Sequence, residues 1–528
     1  MSCNEHPARA NLNTMYGTRT TEGPLDADSH HVSPSPSWTL PVELLIEIFS
    51  LYSPSLSITD SKVLPTTLAL SQTCSSWRQL AISLPNLWSN LSLDLTHENA
   101  NIPALVNLYL ARSEPQPLIL RVDGVTTSVH GEAELATELS PSGWSVLTSL
   151  LNAHDRWSNV SFYLHWELLD IDYNSLTTMV PSFPLLQSFA VSWQNDREIR
   201  VSNRLFRVLH DLPALRSLQI DSYLPYFPFN LSNLSRINVT KCRLCAEVRF
   251  LLARCKNLSE AEFTMDGHPD DDDLIPVNVF PVNKLQSLKL TFSGMRVGCN
   301  LLSSLTLPSL TKLDLSSRYT DIDQHITLDR AFKDFSLRSR CQLTKLRLTG
   351  QFGTDFNLIQ ILSMAPTITH LALDVRSSYS DYVTDDLFEM LSLGPIIPES
   401  SATSTDILPR LTDFSLVIQQ SQNSTYFTFI PTSYSHKLVL PPLPDPDVIL
   451  SMVESRFHPS STNNRAKLQR FALSVRINLD GTEFTNDWGQ LFRSTTEPPL
   501  RALEREGLHL DLNIKEGPEA ATSPPALV

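Results

Sequence analysis

Glycine is scarce in this chain, 15 residues in 528, against 36 prolines. Loops that cradle phosphates need glycines at fixed offsets, and neither a dinucleotide fingerprint nor a P-loop pattern occurs. No HExxH or GxSxG pattern is present either. Lysine and arginine total 41 against 56 acidic residues, a net charge of −15, and no basic run occurs anywhere. Binding to a nucleic-acid backbone needs clustered cations, so no nucleic-acid partner is expected. No apolar run reaches the length of a membrane span, so no membrane partner is expected. The cysteines, seven and scattered, do not form a disulfide framework and fit reduced thiols. The first 36 residues are polar, without an apolar core behind a basic start, and no secretory signal is expected. The sequons at Asn90, Asn159, Asn230 and Asn257 then carry no meaning, and the expected location is cytoplasmic, nuclear or both.

Apolar residues make up 41% of the chain, enough for a folded protein, and its length exceeds what one compact core usually holds. Residues 1–36 lack periodicity and read as a disordered arm that leads out through "SPSPS". "LPVELLIEIFSLY" (residues 40–52) follows as a helix with Pro41 in its first turn. Its polar stripe is narrow, only Glu43, Glu47 and Ser50, so apolar material lies on two sides where a surface helix has one. After the breaker-rich "SPSLSITDSKVLP", "LALSQTCSSWRQLAISL" reads as a second helix. Leu70, Cys74, Trp77, Ala81 and Leu84 form its single apolar stripe. Pro85 ends that helix, and "NLWSNLSLDL" alternates like a strand.

One pattern then repeats: an apolar residue, two positions, an apolar, one position, an apolar. It appears as Leu186-Phe189-Val191, Leu215-Leu218-Ile220, Leu234-Ile237-Val239, Leu258-Ala261-Phe263 and Leu285-Leu288-Leu290. It continues as Leu310-Leu313-Leu315, Leu343-Leu346-Leu348, Ile368-Leu371-Leu373, Leu411-Phe414-Leu416 and Leu468-Phe471-Leu473. Trp157-Val160-Phe162 is an earlier member, and Trp88-Leu91-Leu93 and Pro115-Leu118-Leu120 are looser ones. "LHLDLNI" reads as a last strand. Starts between residues 157 and 368 lie 19 to 33 apart, and a helical stripe such as "EVRFLLARCKNL" often precedes the strand. The pattern resembles leucine-rich repeats, in which each unit buries its apolar face only by stacking on its neighbours. The family's Asn or Cys ladder position falls here on Tyr223, Cys242, Asp266, Ser293, Arg318, Gln351 and Arg376, and only Cys242 conforms. An irregular array is therefore expected. After residue 373 the spacing stretches to 43 and 57, with Ser/Thr/Pro-rich inserted loops near 377–407 and 421–444 and a helix at 445–457.

Asp170/Asp172 and Asp321/Asp323 have the spacing of metal-holding pairs, but chance pairs are common at this length and they read as surface carboxylates. Cys242, Cys245 and Cys255 contain half of a zinc motif without its second pair, so they read as structural. "HPDDDD" (268–273) reads as a solvated loop, and His30 and His31 fall in the disordered arm. No catalytic residue, metal site or cofactor is expected.

Taken together, "LPVELLIEIFSLY", "LALSQTCSSWRQLA" and "PNLW" resemble the F-box. The family's pattern falls on Leu40, Pro41, Glu43, Leu44, Leu45, Ile48, Phe49, Cys74, Trp77, Arg78, Pro85, Leu87 and Trp88. The spacer between Phe49 and Cys74 is longer than the family's usual one, and Thr73 stands where it favours Val. The resemblance implies a helical module that docks on the adaptor subunit of a cullin-RING ubiquitin ligase. The implied adaptor contacts are Leu40, Pro41, Glu43, Leu44, Ile48 and Cys74, with Cys74 equally compatible with the module's own core. The implied core holds Leu45, Phe49, Leu70, Trp77 and Trp88. F-box followed by leucine-rich repeats is an architecture that many fungal proteins share.

The expected fold is therefore α/β: an F-box at 37–90 and an irregular leucine-rich-repeat solenoid, a horseshoe with a parallel sheet, at 91–515. A disordered tail is expected at 516–528. The expected function is that of a non-catalytic substrate-recognition subunit of an SCF-type E3 ligase, with an adaptor (and through it a cullin) and a target protein as partners. The alternative is a leucine-rich-repeat interaction scaffold with a degenerate F-box. Variable strand positions such as Arg216, Gln219, Lys289, Lys312, Asp314, Lys345 and Arg347 line the face where a target would bind. They equally suit the solvated side of a sheet, and substrate-binding residues are not assigned.

Overall fold

The computed structural model describes residues 40–52, 55–59, 62–96, 98–127, 133–135, 139–164, 183–192, 212–222, 230–267, 280–282, 284–318, 328–350, 354–377, 383–394, 406–421, 443–459, 465–478 and 488–516. The arm at 1–36, the tail beyond 516, both Asp pairs, His30, His31 and the acidic run at 268–273 lie outside the described residues, as does most of the two inserted segments. The chain divides into two compact units, residues 1–53 and 54–528. The described part of the first unit is one helix, α1 (Val42–Leu51), with Leu40, Pro41 and Tyr52 at its ends.

The second unit is mixed α/β and is built on one sheet of sixteen strands. In chain order these are β1 (Leu56–Thr59), β2 (Lys62–Pro65), β3 (Asn90–Asp94), β4 (Leu118–Asp123), β5 (Trp157–Tyr163), β6 (Ser188–Ser192), β7 (Ser217–Ser222) and β8 (Arg236–Cys242). They continue as β9 (Glu260–Met265), β10 (Ser287–Phe292), β11 (Lys312–Ser317), β12 (Lys345–Thr349), β13 (His370–Ser377), β14 (Asp413–Ser421), β15 (Arg470–Asn478) and β16 (His509–Glu516). From β3 onward, spatial order is chain order and every pairing is parallel. Within this sheet, among the described residues, only β1 and β2 pair antiparallel, as a hairpin whose β1 lies against β3.

The period-2 pattern explains this order. In each triplet the last two apolar residues point to the same side of their strand. Across strands they stand in register, one row running Leu218, Ile237, Ala261, Leu288, Leu313, Leu346, Leu371, Phe414, Phe471 and Leu510, all buried. A second row runs parallel to it from Ile220 through Leu290 and Leu348 to Leu473. A slip of one residue in any strand would send both rows to the solvent face, so the register is strongly fixed. Helices precede many of the later strands, among them α6 (Cys245–Arg254), α7 (Met295–Ser304), α8 (Leu328–Ser339), α9 (Asp355–Ser363), α10 (Asp385–Leu391) and α11 (Pro446–Phe457). Earlier in the unit come α2 (Thr66–Thr73), α3 (Ser75–Ser83), α4 (Ile102–Arg112) and α5 (Pro141–Asn152). Helix α10 stands inside the segment read as a loop near 377–407. Leu387, Phe388 and Leu391 give it a buried face too short for a periodicity search to find.

The missing Asn ladder has a replacement at the other end of six strands, β8, β9 and β11 to β14. Ser235, Ser259, Thr311, Thr344, Thr369 and Thr412 each follow the first apolar residue of a triplet. Each hydroxyl donates to the backbone carbonyl of the preceding unit at 2.9 to 3.1 Å. The same carbonyls also accept two successive N–H groups, as the Thr344 carbonyl does from Thr369 and His370. Because those amides remain, replacing Thr344 by the near-isosteric valine is expected to cost only about 0.5–1.5 kcal/mol. Urea denaturation beside wild type checks this, and no change in the midpoint would mean that the amides alone hold the joint.

Candidate functional site

The side chains of α1 sort into three stripes. Leu45 and Phe49, one turn apart, are buried. Glu43, Glu47 and Ser50 are exposed and polar, with Ser50 Oγ donating back to the Ile46 carbonyl at 2.8 Å. Between them lies a second apolar stripe open to solvent, Leu44 (45% exposed), Ile48 (47%) and Leu51 (79%). Leu40 and Tyr52 extend it at the helix ends. A helix of ten residues with three large apolar side chains on one uncovered stripe has the form of an unfilled helix-in-groove contact.

Residues 66–94 form the helical core that follows in the second unit. The stripe read as one helix is divided at Cys74, whose backbone is extended (φ −155°, ψ 171°) and separates α2 from α3. Cys74 caps α3, its Sγ accepting the Trp77 N–H at 3.4 Å. A one-residue break at this place keeps the stripe's residues in sequence order, which is why spacing alone did not reveal it. The centre of this region is Trp88, fully buried at the end of a 3-10 turn (Pro85–Trp88). Its Nε1 donates to the Ala81 carbonyl at 2.7 Å, Tyr109 meets it edge-on at 4.9 Å, and the Arg112 guanidinium lies 4.4 Å over its ring. Thr67 Oγ1 ties α2 to the same turn through the Leu87 carbonyl at 2.6 Å.

Of the residues expected to contact an adaptor, Leu40, Pro41, Glu43, Leu44 and Ile48 are exposed and Cys74 is half-buried. Of those expected in the module's core, Leu45, Phe49 and Trp88 are buried, and Leu70 and Trp77 are half-buried. Thr73 is exposed, with its hydroxyl donating to the Ala69 carbonyl at 3.3 Å, so its place in the pattern carries no buried packing. The long spacer forms the β1–β2 hairpin.

Residues 37–94 match the F-box-like family.

No curated protein matches the chain. An F-box-like domain therefore occupies the region of α1, the hairpin, α2, α3 and β3, and such domains generally bind ligase adaptor subunits. The match spans the division between the two units.

A second feature lies wholly within the second unit. The outward side of strands β8 to β15 lines a cavity of about 500 Å³. Five of the variable strand positions meet there, Lys289, Lys312, Asp314, Lys345 and Arg347, while Arg216 and Gln219 lie outside its lining. Burial pushes the Asp314 carboxyl up, and Arg347 and Lys289 pull it back down. Sequence reading missed Glu260, Glu262, His370 and Asp413, which line the same cavity. They occupy the positions flanking the inner apolar residues of their triplets, so aligning the triplets would have found them.

Cys242, Cys245 and Cys255 are all buried. Burial pushes the Cys242 thiol well up and the Cys255 thiol to about 12. Cys242 and Cys255 therefore sit as thiols in packed surroundings. Among the described residues, no three His, Cys, Asp or Glu side chains are placed to hold a metal ion, and no helix is long and apolar enough to cross a membrane.

Proposed function

We propose that this chain is a substrate-recognition subunit of an SCF-type cullin-RING ubiquitin ligase. The F-box-like domain docks the adaptor, and the repeated helix–strand units, read as leucine-rich repeats, hold a target protein. The observation that carries this reading is the uncovered stripe Leu44, Ile48 and Leu51 on α1, within residues that match the F-box-like family. An adaptor groove would bury that stripe and take Leu40 and Pro41 at the helix entrance. The chain contributes no catalysis of its own. It raises the effective concentration of target lysines near the charged enzyme and orients them, in the cytoplasm or the nucleus.

The test is a pull-down of the full chain with purified adaptor, beside the double variant Leu40→Ala/Pro41→Ala. Both residues are exposed, so the variant is expected to fold as wild type does and to lose the adaptor. Folded wild-type protein that binds no adaptor would overturn the reading and leave a non-catalytic interaction scaffold. Retained binding by the variant would move the contact away from the helix entrance.

A further inference from the structure

The cavity on β8–β15 carries its charge in an ordered profile across the strands. At its centre, β12 presents Lys345 and Arg347, both exposed and neither in an ion pair with a described residue. Neighbouring β11 places Lys312 beside Lys345 and Asp314 beside Arg347 in register. Three strands to one side, β9 presents Glu260 and Glu262. Two strands to the other, β14 presents Asp413. The β9 carboxylates already hold cations, and the β14 carboxylate lies beside an imidazole. Lys289 lies 2.6 Å from Glu262, Arg236 3.6 Å from Glu260, and His370 3.3 Å from Asp413. Such solvated pairs contribute little each, so they exchange readily for a competing cation. The centre, in contrast, sets three cations, Lys312, Lys345 and Arg347, against the single carboxylate Asp314.

We propose that this cavity binds an extended segment of a partner protein with an acidic pair at its centre and a basic residue on each side. The acidic pair meets Lys345 and Arg347, and the basic residues meet the carboxylates of β9 and β14. Strands lie about 4.8 Å apart and an extended chain advances about 3.3 Å per residue, so the basic residues fall about four positions to one side and about three to the other. A uniformly acidic segment would be opposed at both ends of the cavity, and a uniformly basic one at its centre. The segment would belong to a ligase target, a meaning that rests on the receptor reading, whereas the complementarity itself rests on the cavity alone.

Two synthetic peptides of identical composition test this. One carries a central Glu pair with lysines at those two offsets, and the other has the Glu and Lys positions exchanged. Binding to the full chain is followed by fluorescence anisotropy without adaptor. The first peptide is expected to bind at least about tenfold more tightly than the second. Lys345→Gln/Arg347→Gln is expected to abolish that preference, and Lys345→Glu/Arg347→Glu to invert it. Equal binding of the two peptides by wild type, or an unchanged preference in both variants, overturns the proposal. The outcome is separable from the receptor reading. If Leu40→Ala/Pro41→Ala keeps the peptide preference while wild type binds no adaptor, the receptor reading fails and the cavity assignment stands.

Discussion

Replacing Arg456 by methionine is expected to lower stability by about 3–5 kcal/mol, the usual cost of breaking a buried charge network. Arg456 stands on α11 and is fully buried. Its guanidinium donates to the Leu391 carbonyl at the end of α10, and to the carbonyls of Leu408 at 2.9 Å and Ile407 at 2.7 Å. Burial pushes its pKa down to about 10, with Asp406 pulling it up, so it stays charged near neutrality. Methionine nearly fills the space of the stem but leaves the three carbonyls without that donor. The turn they belong to is also strained, since Leu408 adopts a left-handed backbone (φ 52°) that non-glycine residues avoid. The arginine is thus what holds a costly turn in place between α10 and β14. Urea denaturation measures the loss, and hydrogen exchange locates it at residues 406–421. A variant within about 0.5 kcal/mol of wild type, the usual range of surface changes, would show that the turn holds without it.

Two substitutions in the F-box-like domain are expected to part binding from folding. Trp88→Ala removes a fully buried indole, its hydrogen bond to Ala81 and the ring under Arg112, and is expected to cost about 3–5 kcal/mol. Ile48→Asp places a charge on the open stripe of α1, where the side chain is 47% exposed. It is expected to shift stability by no more than about 0.5 kcal/mol. If the stripe is the proposed adaptor contact, the buried charge should weaken adaptor binding by about 30-fold or more, the effect of losing a hot-spot residue. Calorimetric titration with purified adaptor and thermal melts of the free chain give both numbers. An Ile48→Asp chain that binds as wild type does would remove α1 from the interface.

The parallel sheet was legible because its signal is arithmetical. Apolar residues spaced two apart share one face, and Leu-x-x-Leu-x-Leu recurring down the chain stacks those faces into rows. The hydroxyl ladder was equally visible at Ser235, Thr311 or Thr344. It was overlooked because the expected ladder lies at the opposite end of the strand. The break at Cys74 escaped because spacings of four and three survive a one-residue kink. Among the residues proposed to face an adaptor, the sequence marked α1 as apolar on two sides. Only coordinates could say which side is covered, since Leu45 and Leu44 are equally apolar and one is buried while the other is open. The cavity's charge profile was hidden for another reason. Glu260, Lys345 and Asp413 are far apart in the chain, and only the parallel register aligns them into one row.

The β1–β2 hairpin gives the lengthened spacer a physical meaning. An open parallel sheet ends in unpaired amides and carbonyls, a template on which another chain's strand can grow. Here the first parallel strand, β1, never presents that edge, because the antiparallel β2 covers it. The outermost strand, β2, is four residues long, runs the opposite way, and finishes on Pro65, which has no amide to donate. The residues that set this F-box-like domain apart from the shorter family pattern therefore act as a stop, making the first end of the sheet a poor seed for polymerisation.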